Sequence, residues 1–327
     1  MKKQIIAILA TMLCLLYFGT AAGENSPETF SSGDYEYTLT DEGTVCITKY
    51  TGEAEDLLIP EEIDGKTVTA IGSIAFEKCK TLLNVTIPEG VTSIGGGAFL
   101  SCYHLQSISF PDSLAEMGES PFYSCSDLTD LRFSPDHLYL EVVDGVLFSK
   151  PDHRLIFYPK AGKKDVEIYE VPQGTEVIGS YAFAECPCVK IILPDSLKEI
   201  RSSAFSNCRK LLSIELPDSL TFLGSSAFNY CKKLAAITIP DGITEIESFV
   251  FSSCEMLMEV NLPPNVTSIG QYTFYGCKFL QSITLPKTVE SIGKDAFRDC
   301  PALTIRVARN SYAEQYCREE GLNYAAK

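Results

Sequence analysis

The sequence predicts an α/β repeat solenoid built from units of about 23 residues. Each unit is expected to give one short strand to a parallel β-sheet on one face and a short helical or 3-10 turn to the other. An N-terminal β cap and a C-terminal helical cap are expected to close the stack. Three observations predict this. Phe-x-x-Cys recurs at near-constant spacing, and an alternating apolar segment ending in Pro stands in front of most copies. A unit this short also cannot bury its apolar face without a neighbour.

Phe-x-x-Cys occurs nine times, at Phe76/Cys79, Phe99/Cys102, Phe122/Cys125, Phe183/Cys186, Phe205/Cys208, Phe228/Cys231, Phe251/Cys254, Phe274/Cys277 and Phe297/Cys300. Successive cysteines lie 23, 23, 61, 22, 23, 23, 23 and 23 residues apart. The full unit reads L-x-x-I-x-I-P-x-x-V-x-x-I-G-x-x-A-F-x-x-C, as in residues 280–300. Its I-x-I pair alternates as a strand with one buried face requires. Pro88, Pro111, Pro217, Pro240, Pro263 and Pro286 then stop the strand, because Pro cannot donate to a ladder. Pairs such as Val91 and Ile94, or Val266 and Ile269, carry the chain along the base of the coil. Ala-Phe-x-x-Cys-x-x-Leu has i, i+3 spacing, which predicts one turn of helix or 3-10 helix. The Gly after the second Ile is present in seven units and replaced by Arg201 and Glu247 in two. A backbone that accepts Arg and Glu does not demand a positive φ, so this Gly reads as a turn preference.

The ends and the one long gap have their own signals. Residues 35–40 and 44–50 alternate around Asp41-Glu42-Gly43, which predicts a hairpin. Near the other end Ser311-x-x-Glu314 is a capping box, and Gly321 is a helix stop. The 61-residue gap has room for one atypical coil plus a hairpin, predicted from residues 139–148 and 154–159 with a turn near Pro151-Asp152. The expected organisation is a signal peptide over 1–22, a β cap over 23–56 and a solenoid over 57–302. The insert falls at about 128–165, and the C-terminal cap covers 303–327.

Composition narrows the function classes. At 45% hydrophobic and 21% charged residues the chain has an ordinary folded composition. A net charge of −16 argues against nucleic acid and anionic membranes, whose binding needs clustered Lys and Arg. The three histidines, His104, His137 and His153, match no Ser/His/Asp or Cys/His arrangement, and no phosphate-binding Gly-rich loop is found. The expectation is therefore no enzyme, no cofactor and no metal. Met1-Lys2-Lys3, the apolar run 5–18 and Gly19-Thr20-Ala21-Ala22 read as a secretory leader of bacterial type. No later run approaches membrane length, so a secreted or extracellular cell-surface protein with no membrane span after leader removal is expected.

These residues resemble those of the BspA-like (Treponema-type) leucine-rich-repeat proteins, surface or secreted proteins of bacteria and some protists. The resemblance covers about residues 34–325. It includes the entry segment 35–71 with its extra Asp64-Gly65-Lys66, the insert segments 144–148 and 155–159, and the closing segment 311–321. It implies a leucine-rich-repeat fold and adhesion, or binding of a host, matrix or other extracellular protein. The alternative is a structural or accessory envelope spacer with no dedicated ligand. A monomer is expected.

The regular cysteines admit three readings. A buried small-residue column is favoured, since free Cys packs as a small hydrophobe. Disulfides between adjacent coils remain open, because an exported chain meets oxidant and the column spacing permits them. Zinc is disfavoured: the close pair Cys186-Pro187-Cys188 has one intervening residue and no His nearby. The candidate partner-binding face is the residue between the two strand apolars of each coil: Thr86, Ser109, Arg132, Glu170, Ile192, Glu215, Thr238, Asn261 and Thr284. Neighbouring outward positions are read at Asn84, Gln106, Asp130, Lys190, Ser213, Glu259 and Gln281. A second candidate is the insert loop, with Phe148, Lys150, His153, Phe157 and Tyr158. Its apolar members have a plainer role open to them, covering the irregular coil beneath.

Overall fold

The computed structural model describes residues 27–163 and 165–327. The leader expected over 1–22 lies outside the described residues. The chain divides between Pro151 and Asp152 into two units, each a β-solenoid of short repeated coils.

In the first unit, Phe30–Ser32, Tyr35–Leu39 and Val45–Tyr50 pair antiparallel. Val45–Tyr50 then pairs parallel with Lys66–Ile71, which passes the sheet on to Ser93–Ile94 and Glu116–Met117. A second parallel sheet carries Asp56–Leu58, Asn84–Thr86, Ser107–Ser109 and Asp130–Arg132. The extra Asp64-Gly65 is the two-residue turn between Glu62–Ile63 and Lys66–Ile71. Both of its residues have positive φ, 52° and 72°, as a type I′ turn requires.

The insert carries a second Asp-Gly turn, inside the segment 139–148 expected as a single strand. Its hairpin is Leu140–Val143 against Val146–Ser149, closed by Asp144-Gly145 at φ 50° and 71°. Asp-Gly tolerates two successive left-handed residues, which suits the tight two-residue turn. The predicted turn near Pro151-Asp152 is present as well, over residues 150–153 between Val146–Ser149 and Arg154–Phe157, with His153 at φ 48°.

In the second unit, Arg154–Phe157, Val177–Ile178, Glu199–Ile200 and Phe222–Leu223 form one parallel run along the base of the coils. Ile168–Glu170, Lys190–Ile192 and Ser213–Ile214 form a parallel sheet. So do Ala236–Thr238, Glu259–Asn261, Ser282–Thr284 and Thr304–Val307. The helix Tyr312–Glu319 follows, with Ser311 Oγ accepting from Glu314 N–H at 3.2 Å. The Glu314 carboxylate reaches back to Asn310 N–H at 2.7 Å, one residue before the usual capping-box partner. Past Gly321 (φ 63°) the chain adds a strand no sequence signal marks, Tyr324–Ala326, parallel to Thr304–Val307.

The Phe-bearing side of each coil corrects the predicted helical turn. These segments are hydrogen-bonded turns; the helices among the described residues are the 3-10 turn Ala161–Lys163 and Tyr312–Glu319. The cause is a left-handed residue two before and two after each Phe, such as Ser203 (φ 57°) and Asn207 (φ 62°) around Phe205. A right-handed helix holds φ negative throughout. Instead, the N–H groups of Ser203, Phe205 and Asn207 point at the next coil, bonding Ser225, Ala227 and Asn229 carbonyls at 2.9, 2.8 and 2.7 Å. The intervening Ala204, Ser206 and Cys208 N–H groups bond within their own coil. This face is therefore a second ladder between coils.

The phenylalanines stack behind that ladder. Phe205, Phe228 and Phe251 are fully buried, with ring centroids 5.2 and 5.8 Å apart and planes within 4°. Seven of the nine column thiols donate to the Phe carbonyl of the preceding coil, among them Cys102 to Phe76 at 3.0 Å, and Cys231 to Phe205 and Cys254 to Phe228 at 3.1 Å. Cys thus supplies small volume and a weak donor together, which Ala cannot.

None of the twelve described cysteines is in a disulfide. Burial pushes the Cys254 thiol well up, whereas contact with Cys277 pulls that of Cys300, the one that is partly exposed, down. A thiol reagent is therefore expected to modify Cys300 first in the native protein, since the thiolate is the reactive form. In denaturant without reductant nearly all twelve should react. Blockage of most of them, read by mass spectrometry, would overturn the core-thiol account.

The coil glycines follow a different rule from a turn preference. Neither Gly95 nor Gly270 has a positive φ, but a Cβ at either would lie 2.4 Å from the backbone nitrogen of Ser73 or Ser248 in the preceding coil. Close approach of coils selects the glycine.

His137 anchors the insert. It is 2% exposed, its Nε2 lies 3.0 Å from Pro111 O, and its Nδ1 accepts from Tyr139 and Leu140 N–H at 3.0 and 3.1 Å. That pattern fixes the neutral tautomer with the proton on Nε2. His137→Leu leaves two buried N–H groups and a carbonyl without these partners. It is expected to cost about 2–4 kcal/mol, seen as a lower urea midpoint for the first unit.

Candidate interaction surface

Alternation along each short strand turns one residue in and the next out. Thr86, Ser109 and Arg132 occupy successive strands of the first unit in direct register, outward of buried Val85 and Ile108. Arg132 is folded back on Asp130 of its own strand. In the second unit Glu170 stands opposite Ile192, and Glu215 follows the strand Ser213–Ile214. Thr238 stands opposite Asn261, whose amide donates to Thr238 Oγ1 at 3.3 Å and to the Glu259 carboxylate at 3.1 Å. Thr284 continues the row on the next strand. All six are exposed, Ile192 at 39%.

Two neighbouring positions shift. Gln106 and Gln281 precede their strands, and Ser107 and Ser282 hold the registers beside Asn84 and Glu259. The loop candidates are divided between the two units, and two of them are buried. Phe148 (4% exposed) is buried in the first unit, and Tyr158 (3%) in the second, where it packs 5.1 Å from Phe183 and from Tyr169. Lys150 Nζ donates to His137 O at 2.7 Å, Phe157 is half-buried, and His153 is exposed.

The other histidine and carboxylate contacts are ordinary surface pairs. His104 Nδ1 lies 3.3 Å from Asp127 Oδ2 in the next coil, both more than half exposed. Asp64 is held below the usual carboxylate range by hydrogen bonds from Ser32 and Tyr37. Cys188 is pulled down to about 7, first by Cys186 and also by the Tyr158 hydroxyl at 3.3 Å, but at 1% exposure it is closed to a substrate. Among the described residues no group of three or more His, Cys, Asp or Glu is placed to hold a metal. No described helix is long and apolar enough to cross a membrane. Sequence reasoning missed the exposed apolar side chains beside the sheet, Ile168, Leu212, Met256, Met258 and Phe279, because the repeat pattern leaves most of their positions unspecified.

The family model for the BspA type leucine rich repeat region matches residues 54–151 and 176–304, with six copies. The chain belongs to the BspA-type leucine-rich-repeat family. Comparison with curated proteins finds no relative. Among solved structures, a leucine-rich repeat protein from Eubacterium ventriosum is 21% identical with a TM-score of 0.54, over 84% of this chain and 95% of that one. A leucine-rich cell surface protein from Faecalibacterium prausnitzii is 24% identical with a TM-score of 0.47, over 93% and 96%.

Proposed function

We propose that this chain is an extracellular, non-enzymatic interaction protein that binds a protein partner through the outward positions of its parallel sheets. The observation that carries the reading is a contrast between columns. Inward positions repeat one chemistry, as at Ile191, Ile214, Ile237, Val260 and Ile283, whereas the outward row in the same coils reads Ile192, Glu215, Thr238, Asn261 and Thr284. A uniform scaffold that presents varied, exposed side chains in register suits recognition. The leader-like residues 1–22 support export, and membership of the leucine-rich-repeat family supports protein binding.

The test is a binding screen of the chain lacking residues 1–22 against extracellular-matrix and mucosal proteins. Saturable binding of one of them is the expected result. Its repeated absence assigns the chain to a spacer role instead.

A further inference from the structure

Beside the sheet of the second unit, the two positions after each column cysteine change chemistry along the stack. They read Arg209-Lys210, Lys232-Lys233, Glu255-Met256 and Lys278-Phe279 in successive coils. Two residues further on stand Leu212, Ala235, Met258 and Gln281. Main-chain bonds set these positions side by side: Met256 N–H to Lys232 O at 3.1 Å, Phe279 N–H to Glu255 O at 3.2 Å, and Met258 N–H to Ala235 O at 2.8 Å. Leu212, Met256, Met258 and Phe279 are 47, 43, 45 and 52% exposed. Around them the segments 207–213, 230–236, 253–259 and 276–282 hold five Lys or Arg and two Glu, in a chain of net charge −16. Glu255 is neutralised locally between Lys232 at 2.7 Å and Lys278 at 3.0 Å, and these ammonium groups hold its carboxyl below the usual range.

We propose that this apolar strip with a basic rim docks an acidic peptide segment of a partner protein, one that carries Leu- or Phe-like side chains between its carboxylates. Exposed Met and Phe cost solubility unless covered, and unbranched Met adapts to varied apolar groups. The charge of the strip is opposite to that of the chain as a whole. Salt limits an exposed charge to about 8–10 Å, so a narrow peptide feels chiefly the basic rim. A broad anionic bilayer would also face the acidic remainder, which favours the peptide over a membrane. The strip lies beside the outward sheet row and does not use it.

The experiment pans a displayed random-peptide library on the chain lacking residues 1–22, then measures enriched peptides by fluorescence anisotropy. The expected sequences combine Asp and Glu with Leu, Phe or Trp. Lys210→Glu with Lys233→Glu, and separately Met256→Ser with Phe279→Ser, should each raise Kd at least about tenfold, and added salt should weaken binding. These side chains are exposed, and circular dichroism checks that each variant folds. The sheet-face variant Glu170→Lys, Glu215→Lys, Asn261→Lys should bind the peptides at least as tightly as wild type does, since it adds positive charge, so failure here is distinct from failure of the sheet-face reading. Absence of an acidic-apolar family, or equal binding by all variants, overturns the proposal. Preferential binding to phosphatidylglycerol vesicles, or a dimer in solution that the strip variants abolish, also overturns it in favour of a membrane or a second copy.

Discussion

Phe228→Ala is expected to destabilise the second unit by about 3–5 kcal/mol, the range for emptying an aromatic site in a packed core. Phe228 has no exposed surface and stacks between Phe205 and Phe251 at 5.2 and 5.8 Å. Its N–H bonds Val250 O at 2.9 Å, and its carbonyl accepts the Cys254 thiol. Those backbone groups pin the coil on both sides, so the cavity cannot close by collapse of the main chain. The urea midpoint should fall with little change in slope, and hydrogen-exchange protection should drop most in the coils around Phe205 and Phe251. Phe297→Ala removes a ring with one stacked Phe neighbour, Phe274 at 5.5 Å, and should loosen mainly the segment from there to the terminal helix. Coils that contact chiefly their neighbours predict two localised patterns. The same uniform loss from both variants would refute that picture.

Glu170→Lys, Glu215→Lys, Asn261→Lys is expected to leave the fold intact and to remove binding of a cationic partner. All three side chains are exposed, while the neighbouring Tyr169, Ile214 and Val260 are buried. Exposed substitutions of this kind cost within about 0.5 kcal/mol each. The face gains five units of positive charge, two at each Glu and one at Asn261. Like-charge contact across an interface costs several kcal/mol, against about 8 kcal/mol for the whole of a micromolar complex. Calorimetric titration with a partner from the binding screen reads the loss. Unchanged affinity moves the site off this row.

The inward columns were legible because burial imposes a period: Phe76, Cys79 and their repeats had to face the core to recur so regularly. The thiol–carbonyl bond was not legible, since it joins Cys231 to Phe205 across 26 residues through a backbone path that spacing does not specify. The turn type was hidden for a related reason. Ser203, Asn207, Tyr230 and Phe249 all take left-handed φ without a Gly to mark them, and i, i+3 spacing fits either a helix or a turn. The insert carries two turn signals: the one near Pro151-Asp152 was legible, whereas Asp144-Gly145 lies inside the expected first strand 139–148 and splits it in two. Where the I-x-I alternation fixes them, residues such as Thr238 and Asn261 stand exposed beside buried Ile237 and Val260. One position earlier, at Gln106 and Gln281, there was no alternation to count from.

The central claim is that the outward sheet row is the recognition surface, and hydrogen exchange on the complex tests it most directly. With saturating partner, added protection is predicted at the strands Ile168–Glu170, Lys190–Ile192, Ala236–Thr238 and Glu259–Asn261 and in the loops that follow them. The Phe-bearing turns, such as residues 203–207, should exchange as in the free protein. Protection confined to those turns, with the strands unchanged, would contradict the account.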